Sequence, residues 1–145
     1  MQPLPGNSGR EDLRRAWLLA WRKALAGQSL TALESLLADV LRLHPEYQGL
    51  LEDADALARD WTPEGAQTNP FLHMSLHVAI GEGVAADRPA GLRAAYKRLR
   101  RSQDRHAADH QLMECLAETL WEAERAGLPP DESAFLARVH RVVGV

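Results

Sequence analysis

The sequence predicts an all-α fold, a bundle of about six helices. Apolar residues recur at three- and four-residue spacing along most of the chain, and capping residues, prolines or glycines stand where those stretches end. No segment shows the two-residue alternation of a half-buried strand, and there is no internal repeat. The 145 residues, 46% hydrophobic and 26% charged, are enough to enclose one core. One helical domain is therefore expected over residues 10–145. Residues 1–9 carry Pro3, Pro5, Gly6, Asn7, Ser8 and Gly9, which break structure and bury little, so they are expected to form a disordered tail.

The first helix starts at Arg10, carries Leu13, Trp17, Ala20, Trp21 and Leu25 at helical spacing, and stops at Gly27, with Trp17 and Trp21 expected in the core. Thr31 and Glu34 stand in capping-box register, so a second helix opens there and is expected to bury Leu33, Leu36, Leu37, Val40 and Leu41. Pro45 closes it and can begin the next turn. The helical stretch over 45–58 is broken near 49–55, and 60–68, with Pro63 and Gly65, reads as a loop. Asn69 before Pro70 is a strong start signal: the amide caps free N–H groups and the proline sits where no donor is needed. A helix over about 70–84 follows, then a turn over 87–91, a basic helix over about 92–101 and a long helix over about 104–126. Gly127, Pro129 and Pro130 stop the last of these, and Asp131 caps a final helix that buries Phe135, Leu136 and Val139.

Composition narrows the classes of function. A formal net charge of −3 gives no global attraction to nucleic acid or acidic membranes, so a nucleic-acid partner is disfavoured. One cysteine, Cys115, makes no internal disulfide, so the cytoplasm is the default compartment, with Cys115 itself packed. The longest apolar run near the N-terminus, 16–21, is flanked by charges and too short for a signal core or a membrane span. There is no Gly-rich phosphate loop, no Cys-x-x-Cys and no serine hydrolase elbow.

The residues that carry chemistry are histidines. His73/His77 and His106/His110 each have His-x-x-x-His spacing and hold four of the six histidines. At 100° per residue, His73, His77, Ile80 and Val84 fall within about 60° of each other, and His106, His110, Met113, Ala117 and Leu120 within about 80°. Both pairs thus lie on stripes expected to turn inward. Imidazoles four residues apart stand one turn above each other, with Cβ atoms about 5–6 Å apart, so a pair can converge on one ion. Neutral imidazoles suit zinc, iron or nickel, whereas calcium and magnesium prefer oxygen. Glu114, flanking the same face, is a further candidate ligand, and Asp109, on the other flank, a candidate to accept a hydrogen bond from a ligating ring. Asp104 reads as a helix cap. His44 and His140 read as structural, His44 at a helix end where a cation suits the dipole. The Glu-x-x-His signature of di-iron carboxylate bundles is missing. Cys115 stands about 180° around the helix from His106, a poor arrangement for a Cys–His nucleophile.

The alternative is that all four are neutral core histidines whose ring nitrogens are satisfied by carbonyls, water or each other. A second feature is the basic run over 93–105, in which Arg93, Lys97, Arg98, Arg100, Arg101 and Arg105 face one acid, Asp104. It could grip phosphates, but is expected to be a solvated face meeting the acid-rich segments 52–60 or 118–124.

Several stretches together carry a family resemblance: Trp21-Arg22-Lys23, His44-Pro45-Glu46-Tyr47, NPFLHMSLHVAIGE over 69–82 with DRPAGLRAAY after it, and HAADHQLMECLAETLWEAERAG over 106–127. Over nearly its whole length the chain resembles the bacterial domain-of-unknown-function family 1841. The resemblance implies a short bacterial protein and no established activity. His73, His77, His106 and His110 match the pattern; Gly83 departs from the glutamine expected after Glu82. Two classes of function follow. One is a metal-dependent enzyme or redox protein built on the histidines. The other is an interaction or scaffold protein, in which the histidines only pack and the partner, including a second copy of the chain, is unspecified.

Overall fold

A computed structural model describes residues 7–53, 55 and 69–144. Seven α-helices and no strand occur among them, in keeping with the predicted class: α1 Asn7–Leu25, α2 Ala32–Leu43, α3 Pro45–Gln48, α4 Pro70–Ala86, α5 Leu92–Arg100, α6 Arg105–Ala126 and α7 Glu132–Val143. A 3-10 turn, Gly49–Glu52, follows α3. The break expected near 49–55 is this turn, with extended backbone at Asp53; the loop expected over 60–68 lies outside the described residues. α1 starts three residues before the expected Arg10, and residues 1–6 of the expected tail also lie outside them. None of the helices is long and apolar enough to cross a membrane, among the described residues.

The helix ends form for the reasons the sequence suggests. Thr31 Oγ1 accepts from Glu34 N and Glu34 Oε1 from Thr31 N, a complete capping box. Asn69 Oδ1 accepts from the amides of Phe71 and Leu72. Asp104 and Asp131 accept from amides in the first turns of α6 and α7. Gly127 closes α6 in the left-handed conformation at φ 66°, which costs glycine nothing.

The chain divides into two compact units between Met74 and Ser75, within α4. In the first unit α1 packs on α2 and on the 3-10 turn. Trp17, Leu18 and Ala20 of α1 are buried, as are Leu37, Ala38, Val40 and Leu41 of α2 and Leu51 of the turn. Trp21 is half-buried; Leu33, expected inside, is exposed, as are Leu13 and Leu25. Buried Arg14 takes the inward position on α1 instead, with its guanidinium 4.6 Å from the Phe71 ring centroid. Ion pairs Lys23–Glu34 and Arg22–Glu52 fasten α1 to α2 and to the turn.

In the second unit one core cluster gathers Ile80 of α4, Leu92, Ala95 and Leu99 of α5, Ala108, Leu112, Met113 and Cys115 of α6, and Phe135 and Val139 of α7. A side chain at Gly83, where the family pattern suggests glutamine, would have its Cβ 3.0 Å from the Arg88 carbonyl and from a Leu92 methyl group, so even a methyl group here requires these neighbours to shift by a few tenths of an ångström. No ion pair joins α5 to the acid-rich segment over 118–124 among the described residues, and most of the segment 52–60 lies outside them. Glu118 and Glu122 pair with Arg138 of α7, and Glu52 pairs with Arg22.

Candidate metal centre

The buried arc of α6 runs through Ala108, Asp109, Leu112, Met113, Cys115 and Thr119. At 100° per residue its middle lies about 100–150° from the His106/His110 stripe, so the two histidines stand at its edge, half-buried. Glu114 falls one step further out. It is exposed and is not in the group of residues whose ligand atoms converge. Ala117 and Leu120, expected on the inward stripe, are exposed too: Ala117 shares the histidines' angle, while Leu120 falls within the arc by angle but lies beyond Thr119, the last buried residue of the helix.

In the second unit α4 brings His77 to His106 and His110. Ring centroids lie 5.4 Å apart for His77 and His106, 5.1 Å for His77 and His110, and 4.3 Å for His106 and His110. Each residue offers a ring nitrogen within 4.8 Å of the other two. Two nitrogens bound to one ion at about 2.1 Å each can be at most about 4.2 Å apart, so small side-chain rotations close the triad on a metal.

Asp109 fixes the state of His77. The His77 imidazole is fully buried, and its Nδ1–H donates to Asp109 Oδ2 at 3.0 Å. A carboxylate only accepts, so Nδ1 carries a proton, and in the neutral ring the lone pair is then on Nε2, the form a metal ligand requires. The other carboxylate oxygen, Oδ1, accepts from the Tyr96 hydroxyl at 2.6 Å. With both oxygens engaged, buried Asp109 orients a ring and does not itself turn toward an ion. Burial, and then this hydrogen bond, raise the Tyr96 hydroxyl well above the usual phenol range, so Tyr96 remains a donor.

The first unit holds a second imidazole pair. His44 Nδ1–H donates to the Val40 carbonyl at 2.8 Å, leaving the lone pair on Nε2, which lies 3.1 Å from His73 Nε2. That separation suits a hydrogen bond from His73, and equally the roughly 2.9–3.4 Å between two nitrogens on an ion with bonds of about 2.0–2.1 Å. Tyr47 stacks on His44, with ring centroids 5.2 Å apart. His44 was expected to be merely structural at its helix end, and its pairing was not foreseen. The signal was present: Leu37, Val40, Leu41 and His44 form one inward stripe of α2. His140, on α7, is not in the histidine group.

Cys115 is buried, and its thiol is pushed up by burial, then by Glu118 and Glu114, as suits a packed cysteine and not a nucleophile.

Comparison with curated proteins and with solved structures gives no match. A family model described as a domain of unknown function, DUF1841, matches residues 9–141, and the chain belongs to this family.

Proposed function

We propose that this protein binds a first-row transition metal, zinc, iron or nickel, through His77, His106 and His110. The observation that carries the proposal is the Tyr96–Asp109–His77 chain, which holds a buried imidazole with its lone-pair nitrogen in the company of two more. Hydrogen bonding of a ligating ring to a carboxylate is the usual means of setting its tautomer and raising its basicity. An all-imidazole set of this kind suits borderline transition metals and not calcium or magnesium. A bound metal would supply Lewis-acid or redox chemistry; the chain's own contribution is to hold neutral imidazoles in the ligating tautomer. The lone buried cysteine supports action in the cytoplasm.

The same hydrogen bonds support a second reading, a non-enzymatic interaction or scaffold protein with a hydrogen-bonded histidine core. Val40 and Asp109 accept from the Nδ1–H groups of His44 and His77, and His44 and His73 lie within hydrogen-bonding distance of each other, all without an ion.

Elemental analysis of untagged protein, purified without a metal column, separates the two. His106 and His110 are half-buried, so a His106→Ala/His110→Ala variant is expected to keep its helical circular dichroism and lose near-stoichiometric metal. Wild-type protein that is folded, metal-free and unable to take up added zinc, iron or nickel would overturn the metal reading.

A further inference from the structure

The basic helix α5 carries more cations than its own fold employs. Arg93 donates to the carbonyls of Val84 and Ala85 and so ties α5 to the end of α4. Arg100 donates to the Gln103 carbonyl and closes the turn into α6. Arg98 and Arg101 have no acidic partner among the described residues, unlike Arg22, Arg42, Arg88 and Arg138, each of which is paired with a carboxylate. Both line a cleft of about 420 Å³ between α5 and α7.

The make-up of this cleft is one-sided. Gly91, Ala94 and Ala95 give it a floor of small side chains, Arg98 and Arg101 contribute two guanidiniums, and His140 of α7 adds an imidazole. No acid lines it. Residues three apart on a helix are neighbours on its surface, so the two guanidinium forks work the same side. Planar forks suit the tetrahedral oxygens of a phosphate, to which two can donate in pairs. The volume lies within the range of small-molecule sites and far below a macromolecular footprint.

From this we infer a second site, independent of the histidines, that takes a small phosphomonoester: the phosphate between Arg98, Arg101 and His140, the organic part on Gly91, Ala94 and Ala95. A competing role exists for the arginines. They stand at the C-terminal end of α5, where the helix dipole favours cations, and that alone would account for their charge. It does not account for the imidazole from another helix or for a floor without acids.

The test is a titration of the full chain with phenyl phosphate, followed by amide NMR shifts. Saturable shifts are expected at Gly91, Ala94 and Ala95. An Arg98→Gln/Arg101→Gln variant, altered only at exposed positions, is expected to bind at least tenfold more weakly, while Arg125→Gln, which removes an arginine stacked on Trp121 of α6, leaves binding unchanged. The His106→Ala/His110→Ala protein is expected to bind as wild type does, so failure of the metal reading leaves this one standing. Equal weakening by Arg125→Gln would reduce the effect to general charge attraction and overturn the site. Shifts that do not saturate would overturn it too, and leave the arginines to the helix dipole.

Discussion

Two carboxylates, one in each unit, each accept from two different groups, and their surroundings give the same arithmetic different meanings. Glu34 accepts from Lys23 Nζ and from the Thr31 amide near the surface, where water competes for every partner. Asp109 accepts from Tyr96 and from His77 inside the second unit, where water does not. Near the surface the result is a local fastening of α1 to the start of α2. In the interior, two donors together compensate for desolvating a charge and fix an imidazole in one tautomer.

The largest effect should come from removing the buried member. Asp109→Ala leaves the Tyr96 hydroxyl and the His77 N–H without their acceptor, and unsatisfied buried groups cost about 1–3 kcal/mol each. A loss of about 3 kcal/mol in chemical denaturation is expected, with a 10–100-fold loss of metal affinity in the fraction that folds, as for other orienting partners of ligating histidines. Affinity equal to wild type in folded Asp109→Ala would show that the carboxylate serves packing alone.

Tyr96→Phe sharpens the contrast because it leaves Asp109 with His77 only. A hydrogen bond to a charged group contributes about 1.5–3 kcal/mol, and partial exposure of Tyr96 favours the low end. About 1.5 kcal/mol of destabilisation is expected, with retained metal, since the His77 tautomer still has its acceptor. Should metal be lost as in Asp109→Ala, the phenol would be acting on the site itself.

The contrast between these carboxylates also marks where the sequence could be read. The Thr31/Glu34 box was legible because it is local: a hydroxyl and a carboxylate three residues apart need only a helix between them. The helix starts at Asn69, Asp104 and Asp131 were legible for the same reason. Helical phase was enough to bring His106 and His110 near an inward face and to name Asp109 as a partner for a ring. It was not enough to locate the centre of the α6 arc, which neighbouring helices set, and so Glu114 was placed too far inward. Tyr96 and His44 are joined to their partners across 13 and 29 residues, and no periodicity on one helix reports contacts of that length.

The smallest effect belongs to the surface member, and its sign with pH is the informative part. The hydrogen bonds from Lys23 and then from the Thr31 amide hold the Glu34 carboxyl below the usual carboxylate range. Its pKa is thus lower folded than unfolded, so its contribution is fully present above the unfolded value and lost as pH falls through the folded one. Glu34→Gln should lower the denaturation midpoint slightly at pH 7, less in high salt, because an exposed pair is screened. As pH falls through the carboxylate range the wild type should converge on the variant, because protonated Glu34 no longer attracts Lys23. A difference that persisted undiminished below that range would mean that side-chain shape, and not charge, holds α1 to α2. Glu34 would then do its work by packing, as no interior carboxylate with two donors and an imidazole to orient can.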